Sequence, residues 1–246
     1  MTSVLIHGGG TTGRFWDRLV PWLDGPVLAV DLPGRADRPA DLATLSVEDE
    51  VASVVADIEA WRPADPVTLV AHSSGGLVVP GVVTSLRGRV ASVVLNAALV
   101  PEEGGRGIDC MQERHRDGLV LALQAAARDG RSITLPGPPG DPESFRSAYG
   151  GEPLDDATLA FVVDPVRCVP DTVHHYFQPI HWSQAAGVPI HYVLNELDRP
   201  VPPGTQEEMA ARLPDPVTVT RVPSGHLLAV TGPSVLAGIL AAHTPG

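Results

Sequence analysis

Six short apolar runs, separated by longer stretches, restrict the fold of this chain more than any other feature. They are SVLIH (3–7), PVLAVDL (26–32), VTLVAH (67–72), VASVVLNA (90–97), PIHYVLN (189–195) and PVTVTRV (216–222). Runs that are hydrophobic at nearly every position predict strands covered on both faces, which is the condition of a parallel sheet with helices on either side. The stretches between them show helical spacing. In 47–61, Val51, Val54, Val55, Ile58 and Trp61 recur along one face, with Ser46 at the N-cap and Glu48, Asp49 and Glu50 in the first turn. Residues 203–213 and 233–242 read as helices opened by proline. This alternation predicts an α/β, doubly wound, mostly parallel sheet of about six strands flanked by helices.

The alternation breaks once. From Pro101 to about Gly187 no run reads as a strand; a helix is expected over 111–128, followed by the Pro/Gly-rich LPGPPGDPES and short helical pieces. The expected organisation is a core of 1–101 and 188–246 with a helical lid or cap, 102–187, inserted between late core strands. Such an insertion is expected to lie over the C-terminal edge of the sheet, where ligands bind in open α/β folds.

Composition excludes several functions. The net charge is −12, which argues against a nucleic-acid partner, because phosphate binding needs clustered cations. All 17 basic residues are Arg, so lysine Schiff-base and lysine general-base chemistry are excluded. Cys110 and Cys168 form no CxxC motif and read as free thiols rather than a metal or redox pair. The start, MTSVLIHGGG, lacks the basic region of a signal peptide, and no apolar run approaches the ~18 residues of a membrane span. The expectation is a cytoplasmic protein without a membrane partner, monomeric or homodimeric.

The chemistry centres on VTLVAHSSGGLVVP, 67–80, where a strand runs directly into a Ser/Gly turn and an apolar helix leaves it. That is the pattern of a nucleophile elbow. The turn brings the residues two before and two after the nucleophile close together, so both must be small. Ala71 and Gly75 satisfy this for Ser73; His72 and Gly76 do not satisfy it for Ser74. Ser73 is therefore the candidate nucleophile, and the backbone N–H of Ser74 faces an anion from the start of the helix. A serine needs a base oriented by a carboxylate, expected in the chain order Ser, acid, His. Glu196 and Asp198 both follow the fifth run, and His226 follows the sixth. A developing oxyanion also needs donors. The glycines of HGGGTTG after the first run supply a backbone N–H at Gly9, with Ser74 as the second. A dinucleotide loop is the competing reading of those glycines, since Asp31 lies 21 positions after Gly10. It leaves Ser73, Asp198 and His226 unexplained.

These segments, together with AVDLPGRADRP, LNELDRPVP and PSGHLLAV, resemble the α/β-hydrolase superfamily over nearly the whole chain, and within it the plant methylesterase and hydroxynitrile lyase branch. The resemblance implies Ser73 as nucleophile, Asp198 rather than Glu196 as acid, His226 as base, and Gly9 and Ser74 as the oxyanion hole. The lyases carry Lys after the catalytic His and Thr after the first-loop His; Leu227 and Gly8 stand here, which favours ester hydrolysis over cyanohydrin cleavage. DLPGRADRP is also similar to the type II thioesterases of polyketide and peptide synthesis. Three functions follow: a carboxylesterase acting on a small, moderately apolar ester, a thioesterase acting on an acyl-thioester, and a non-enzymatic sensor on the same fold. No metal or organic cofactor is implied. Phe161, Tyr176, Phe177 and Trp182 are the expected lining of an apolar substrate pocket; His174 and His175, adjacent in sequence, point too far apart to share a metal.

Overall fold

All six apolar runs are strands: β1 (Ser3–Ile6), β2 (Val27–Val30), β3 (Val67–His72), β4 (Val90–Asn96), β5 (Ile190–Asn195) and β6 (Val217–Val222). The computed structural model describes residues 2–64 and 66–243, apart from the side chain of Arg114. The strands form one parallel sheet in the order β2-β1-β3-β4-β5-β6. The helices of the core are α1 (Val47–Trp61), α2 (Val79–Ser85), α6 (Pro203–Ala211), α7 (Leu228–Thr231) and α8 (Pro233–His243), and the insertion holds α3 (Glu113–Arg128), α4 (Pro142–Tyr149) and α5 (Asp156–Val162).

Alternate strand residues enter opposite cores. Val4, Ile6, Leu69, Ala71, Val93 and Leu95 pack with Val54 and Ile58 of α1, Val79 and Val82 of α2 and Met209 of α6. Leu5, Val70, Val94 and Val193 pack on the other side with Phe15, Trp16 and Leu236 and Leu240 of α8. Both cores need apolar residues, which is why the strands read as continuous runs rather than alternating ones. β6 departs from that expectation. Thr218, Val219 and Arg221 are exposed, and β6 is an edge strand with a neighbour on one side alone.

α1 starts where Ser46 predicts. Ser46 Oγ accepts the Asp49 N–H at 3.1 Å and Asp49 returns a carboxylate oxygen to the Ser46 N–H at 3.0 Å, a reciprocal cap.

The chain moves from β1 outward to β2 and then back across to β3, so the direction of winding reverses between β1 and β3. Ile6 pairs with Ala71 there, and the loops leaving both strands emerge side by side at the C-terminal edge. A crevice at such a reversal is where open α/β sheets bind ligands. The insertion between β4 and β5 contributes no named strand among the described residues, and it reaches this edge.

Candidate active site

The turn after β3 is strained at one residue. Ser73 has φ +52°, a left-handed conformation that a residue with a Cβ seldom adopts without support. The support is close packing. A Cβ on Gly75 would lie 2.6 Å from the His7 carbonyl oxygen, and one on Gly8 would lie 2.8 Å from Ser73 Cβ, so the elbow and the β1 loop meet only because those positions are glycine. Ala71, fully buried, completes the set of small residues. Ser74 follows in a 3-10 turn, Ser73–Leu77, whose leading N–H groups have no partner within the turn.

His226 lies in the loop after β6, Asp198 in the loop after β5. Asp198 Oδ2 is 2.7 Å from His226 Nδ1, with both side chains buried, and Asp198 Oδ1 accepts the Val201 N–H at 2.7 Å. Donation by Nδ1–H leaves His226 Nε2 as the bare, accepting nitrogen. Glu196, the other carboxylate after β5, is exposed. The two loops are joined: Leu197 N–H donates to Ser224 O at 2.9 Å, and Asn195 Nδ2 donates to Gly225 O at 2.9 Å. The His226 carbonyl receives His72 Nε2–H at 2.9 Å, and His72 stacks on Phe15 at 4.7 Å. Burial, and then the His226 imidazole, hold His72 well below the ordinary histidine range, so it stays neutral.

His7 orients the glycine loop. Its Nε2 accepts the Leu32 N–H at 3.1 Å, so its Nδ1 carries the proton and donates to Gly8 O at 2.9 Å. Thr11 Oγ1 donates to the same carbonyl at 2.9 Å. In a trans peptide the C=O and the following N–H point in opposite directions. The Gly9 N–H therefore points away from these two donors. Burial, then Arg35, lower the pKa of His7 to about 4.

Ser73, His226 and Gly9 border one cavity of about 130 Å3. The core adds Phe15, His72 and Leu227 to its wall; the insertion adds Pro138, Phe145, Tyr149, Phe161 and Tyr176. Among the described residues no hydrogen bond links Ser73 to His226. Two of the four expected pocket residues, Phe161 and Tyr176, line this cavity. Phe177 and Trp182 do not: Phe177 packs against the core on the α1 and α2 side, and Trp182 is buried in that same core. They lie at the far end of the insertion, where the chain descends to β5. Phe145 and Tyr149, stacked at 4.5 Å, take that place in the wall. Their sequence signal is weak, because α4 follows a Pro/Gly-rich stretch that reads as loop.

Arg167 also borders the cavity, but its charge is occupied. It reaches Asp17 at 2.7 Å, Asp164 at 3.3 Å and the Arg14 carbonyl at 3.1 Å, with its guanidinium 3.8 Å over the Phe161 ring. Asp31, the candidate ribose acid, instead accepts the Gly13 N–H at 2.7 Å. Cys110 and Cys168 are free thiols, and no group of three or more His, Cys, Asp or Glu among the described residues is placed to hold a metal ion.

Comparison with known proteins agrees with this fold. Residues 4–238 match the family described as "Alpha/beta hydrolase family". A curated relative, the pimeloyl-[acyl-carrier protein] methyl ester esterase of Methylococcus capsulatus, is 32% identical over 159 residues, 61% of this chain and 60% of that protein. The match thus spans about 60% of the length of the curated relative. An extracellular alpha/beta-hydrolase from a Paenibacillus species, described as homologous to tobacco salicylic acid binding protein 2, superposes with TM-score 0.84 at 19% identity over 100% of both chains. A pyrethroid hydrolase from Sphingobium faniae gives 0.74 at 23%, over 98% and 96%, and a methylesterase from Arabidopsis 0.72 at 19%, over 98% of each.

Proposed function

The chain belongs to the alpha/beta hydrolase family, and from that premise we propose that it is a serine esterase cleaving a small, moderately apolar carboxylic ester through Ser73, His226 and Asp198. One observation carries this reading. The bare Nε2 of an Asp-paired histidine and a serine held at φ +52° border the same cavity. His226 Nε2 accepts the Ser73 proton as Oγ attacks the ester carbonyl. The Gly9 and Ser74 N–H groups hold the oxyanion. His226 then protonates the leaving alcohol, and water, activated by His226, releases the acyl group. The Ser73–His226 contact closes when substrate fills the cavity, as such contacts do in unliganded enzymes.

The insertion acts as a lid, since Phe145, Tyr149, Phe161 and Tyr176 all come from it. An apolar cavity of ~150 Å3 holds benzene, so the about 130 Å3 here suits a compact group rather than a long chain. With Arg167 already paired, no free cation on the wall calls for an anionic substrate. The Methylococcus relative, named for methyl ester cleavage, supports an ester as the target. Turnover of p-nitrophenyl acetate and butyrate, abolished in Ser73→Ala, tests the proposal. Turnover confined to acyl-thioesters would replace it with a thioesterase, and no turnover of either would sink it.

A further inference from the structure

Beside the glycine loop lies a cluster of four buried ionisable side chains that the esterase chemistry above does not use. Arg35, in the loop after β2, and Glu50, on α1, come from the core; Asp171 and His175 come from the insertion. Each is at most 2% exposed. Arg35 Nη1 is 3.4 Å from Glu50 Oε1, and Arg35 Nη2 bonds Asp171 Oδ1. His175 Nδ1 is 2.9 Å from Glu50 Oε2, and its Nε2 is 3.9 Å from Asp171 Oδ2. With His175 protonated, two cations face two anions and the cluster is neutral. Burial alone would push His175 down, but Glu50 and Asp171 outweigh it and raise its pKa.

Asp171 also touches the loop itself. Its Oδ2 accepts the Gly10 N–H at 3.1 Å, and Gly10 sits at φ +66°, which glycine adopts freely, so the hydrogen bond selects this one conformation among several. A Cβ on Gly9 would lie 2.6 Å from both Asp171 Oδ2 and Tyr176 Oη, so the carboxylate abuts the residue that offers the oxyanion donor. A lone carboxylate there would oppose the negative charge that develops on the substrate oxygen, and the low dielectric of a buried site would magnify the repulsion. Arg35 removes that conflict by neutralising it.

We infer that Asp171 and Arg35 are positioning residues for the oxyanion loop. Asp171 fixes Gly10 from the insertion side, and Arg35 cancels the Asp171 charge so that the site can stabilise an anion. Because Asp171 belongs to the insertion and Arg35 to the core, a competent oxyanion loop requires the insertion to be seated. The inference rests on the esterase reading of Gly9.

The test is a double-mutant cycle in kcat and KM for p-nitrophenyl acetate with Arg35→Gln, Asp171→Asn and the pair, each checked for native packing by near-UV circular dichroism. Arg35→Gln should lose about tenfold or more in kcat, with KM changed less than about twofold, because a transition-state charge is affected. The double variant should regain part of that loss. A purely structural cluster would couple the two residues in stability, read by a thermal melt, without a kcat loss that the second substitution restores. A double-variant kcat no higher than that of Arg35→Gln, or a kcat for Arg35→Gln within about twofold of wild type, overturns the inference. Should Arg35→Gln not fold, Asp171 decides. Asp171→Asn keeps an acceptor for Gly10 and should stay within about threefold in kcat, while Asp171→Leu should lose about tenfold or more at unchanged KM. Equal kcat for these two, or failure of both to fold, overturns the inference as well. Ser73→Ala separates the two levels. If it stays active, the esterase reading falls; if it is inactive while the Arg35 and Asp171 effects are absent, only the positioning inference falls.

Discussion

Asp198 and His226 stand 2.7 Å apart, carboxylate to Nδ1, each on the loop that follows one of two adjacent strands. The pairing of β5 with β6 thus brings this carboxylate and imidazole together across 28 residues of sequence. It also selects the His226 tautomer, and Asp198→Asn should reverse it by offering an N–H where an acceptor stood. We expect kcat for p-nitrophenyl acetate to fall by about 10⁴-fold, with little change in fold. Steady-state kinetics beside a thermal melt measures both, and a loss below tenfold would remove Asp198 from the mechanism.

Ser73 and Ser74 are separable. A fluorophosphonate should label Ser73 alone, read by peptide mass spectrometry. Ser74→Ala keeps the backbone N–H and loses only the side-chain contact with Tyr176. Its kcat should stay within about threefold of wild type, since loss of an oxyanion-hole donor, by contrast, costs about 10²–10³. Labelling at Ser74, or an inactive Ser74→Ala, would move the elbow by one residue.

Phe161 and Trp182 should behave differently although both are aromatic residues of the insertion. Phe161→Ala enlarges the cavity and should raise kcat/KM for octanoate relative to acetate esters by about tenfold or more, because each pocket methylene is worth about 10–200-fold. Trp182→Ala should leave that ratio unchanged and cost about 3–5 kcal/mol of stability, measured by urea unfolding. A shifted chain-length preference in Trp182→Ala would place it in the substrate path after all.

Acid should unfold the protein early. Burial first, then Arg35 for His7 and His243 for His191, lower the pKa values of both from 6.5 to about 4. The unfolded chain therefore binds more protons than the folded one between these values, and stability contributed by both residues is full above pH 6.5 and lost as pH falls toward about 4. His175 has the opposite sign: its raised pKa contributes stability below the unfolded value, lost as pH rises through the folded one. Thermal melts across pH 4 to 8 should show the acid loss, and His191→Gln should make it shallower. An unchanged acid slope in that variant would rule out His191 as a contributor.

Much of the candidate site was legible because its parts are local. Strand-turn-helix around Ser73 is contiguous, and the small residues at 71 and 75 follow from the steric closeness of one turn. The cluster of Arg35, Glu50, Asp171 and His175 was not read, although one signal existed. Glu50 falls on the same face of α1 as Val47, Val54 and Ile58, all buried, so a charge on that face required a partner. Its place in the first turn offered a sufficient local reason for an acid, and the helix dipole hid the buried ion pair.

By itself the sequence determined the six strands, the capped start of α1 and the strand-turn-helix with small residues around Ser73, because hydrophobic periodicity, capping and turn sterics act over a few residues. Only the tertiary structure decided which carboxylate faces His226, which aromatic residues reach the cavity, and that Asp171 holds Gly10 across 161 residues. Those outcomes depend on where the insertion settles on the sheet edge. That is a sum of contacts between segments distant in sequence, such as Gly151 packed against the Leu197 carbonyl, and no local pattern encodes it.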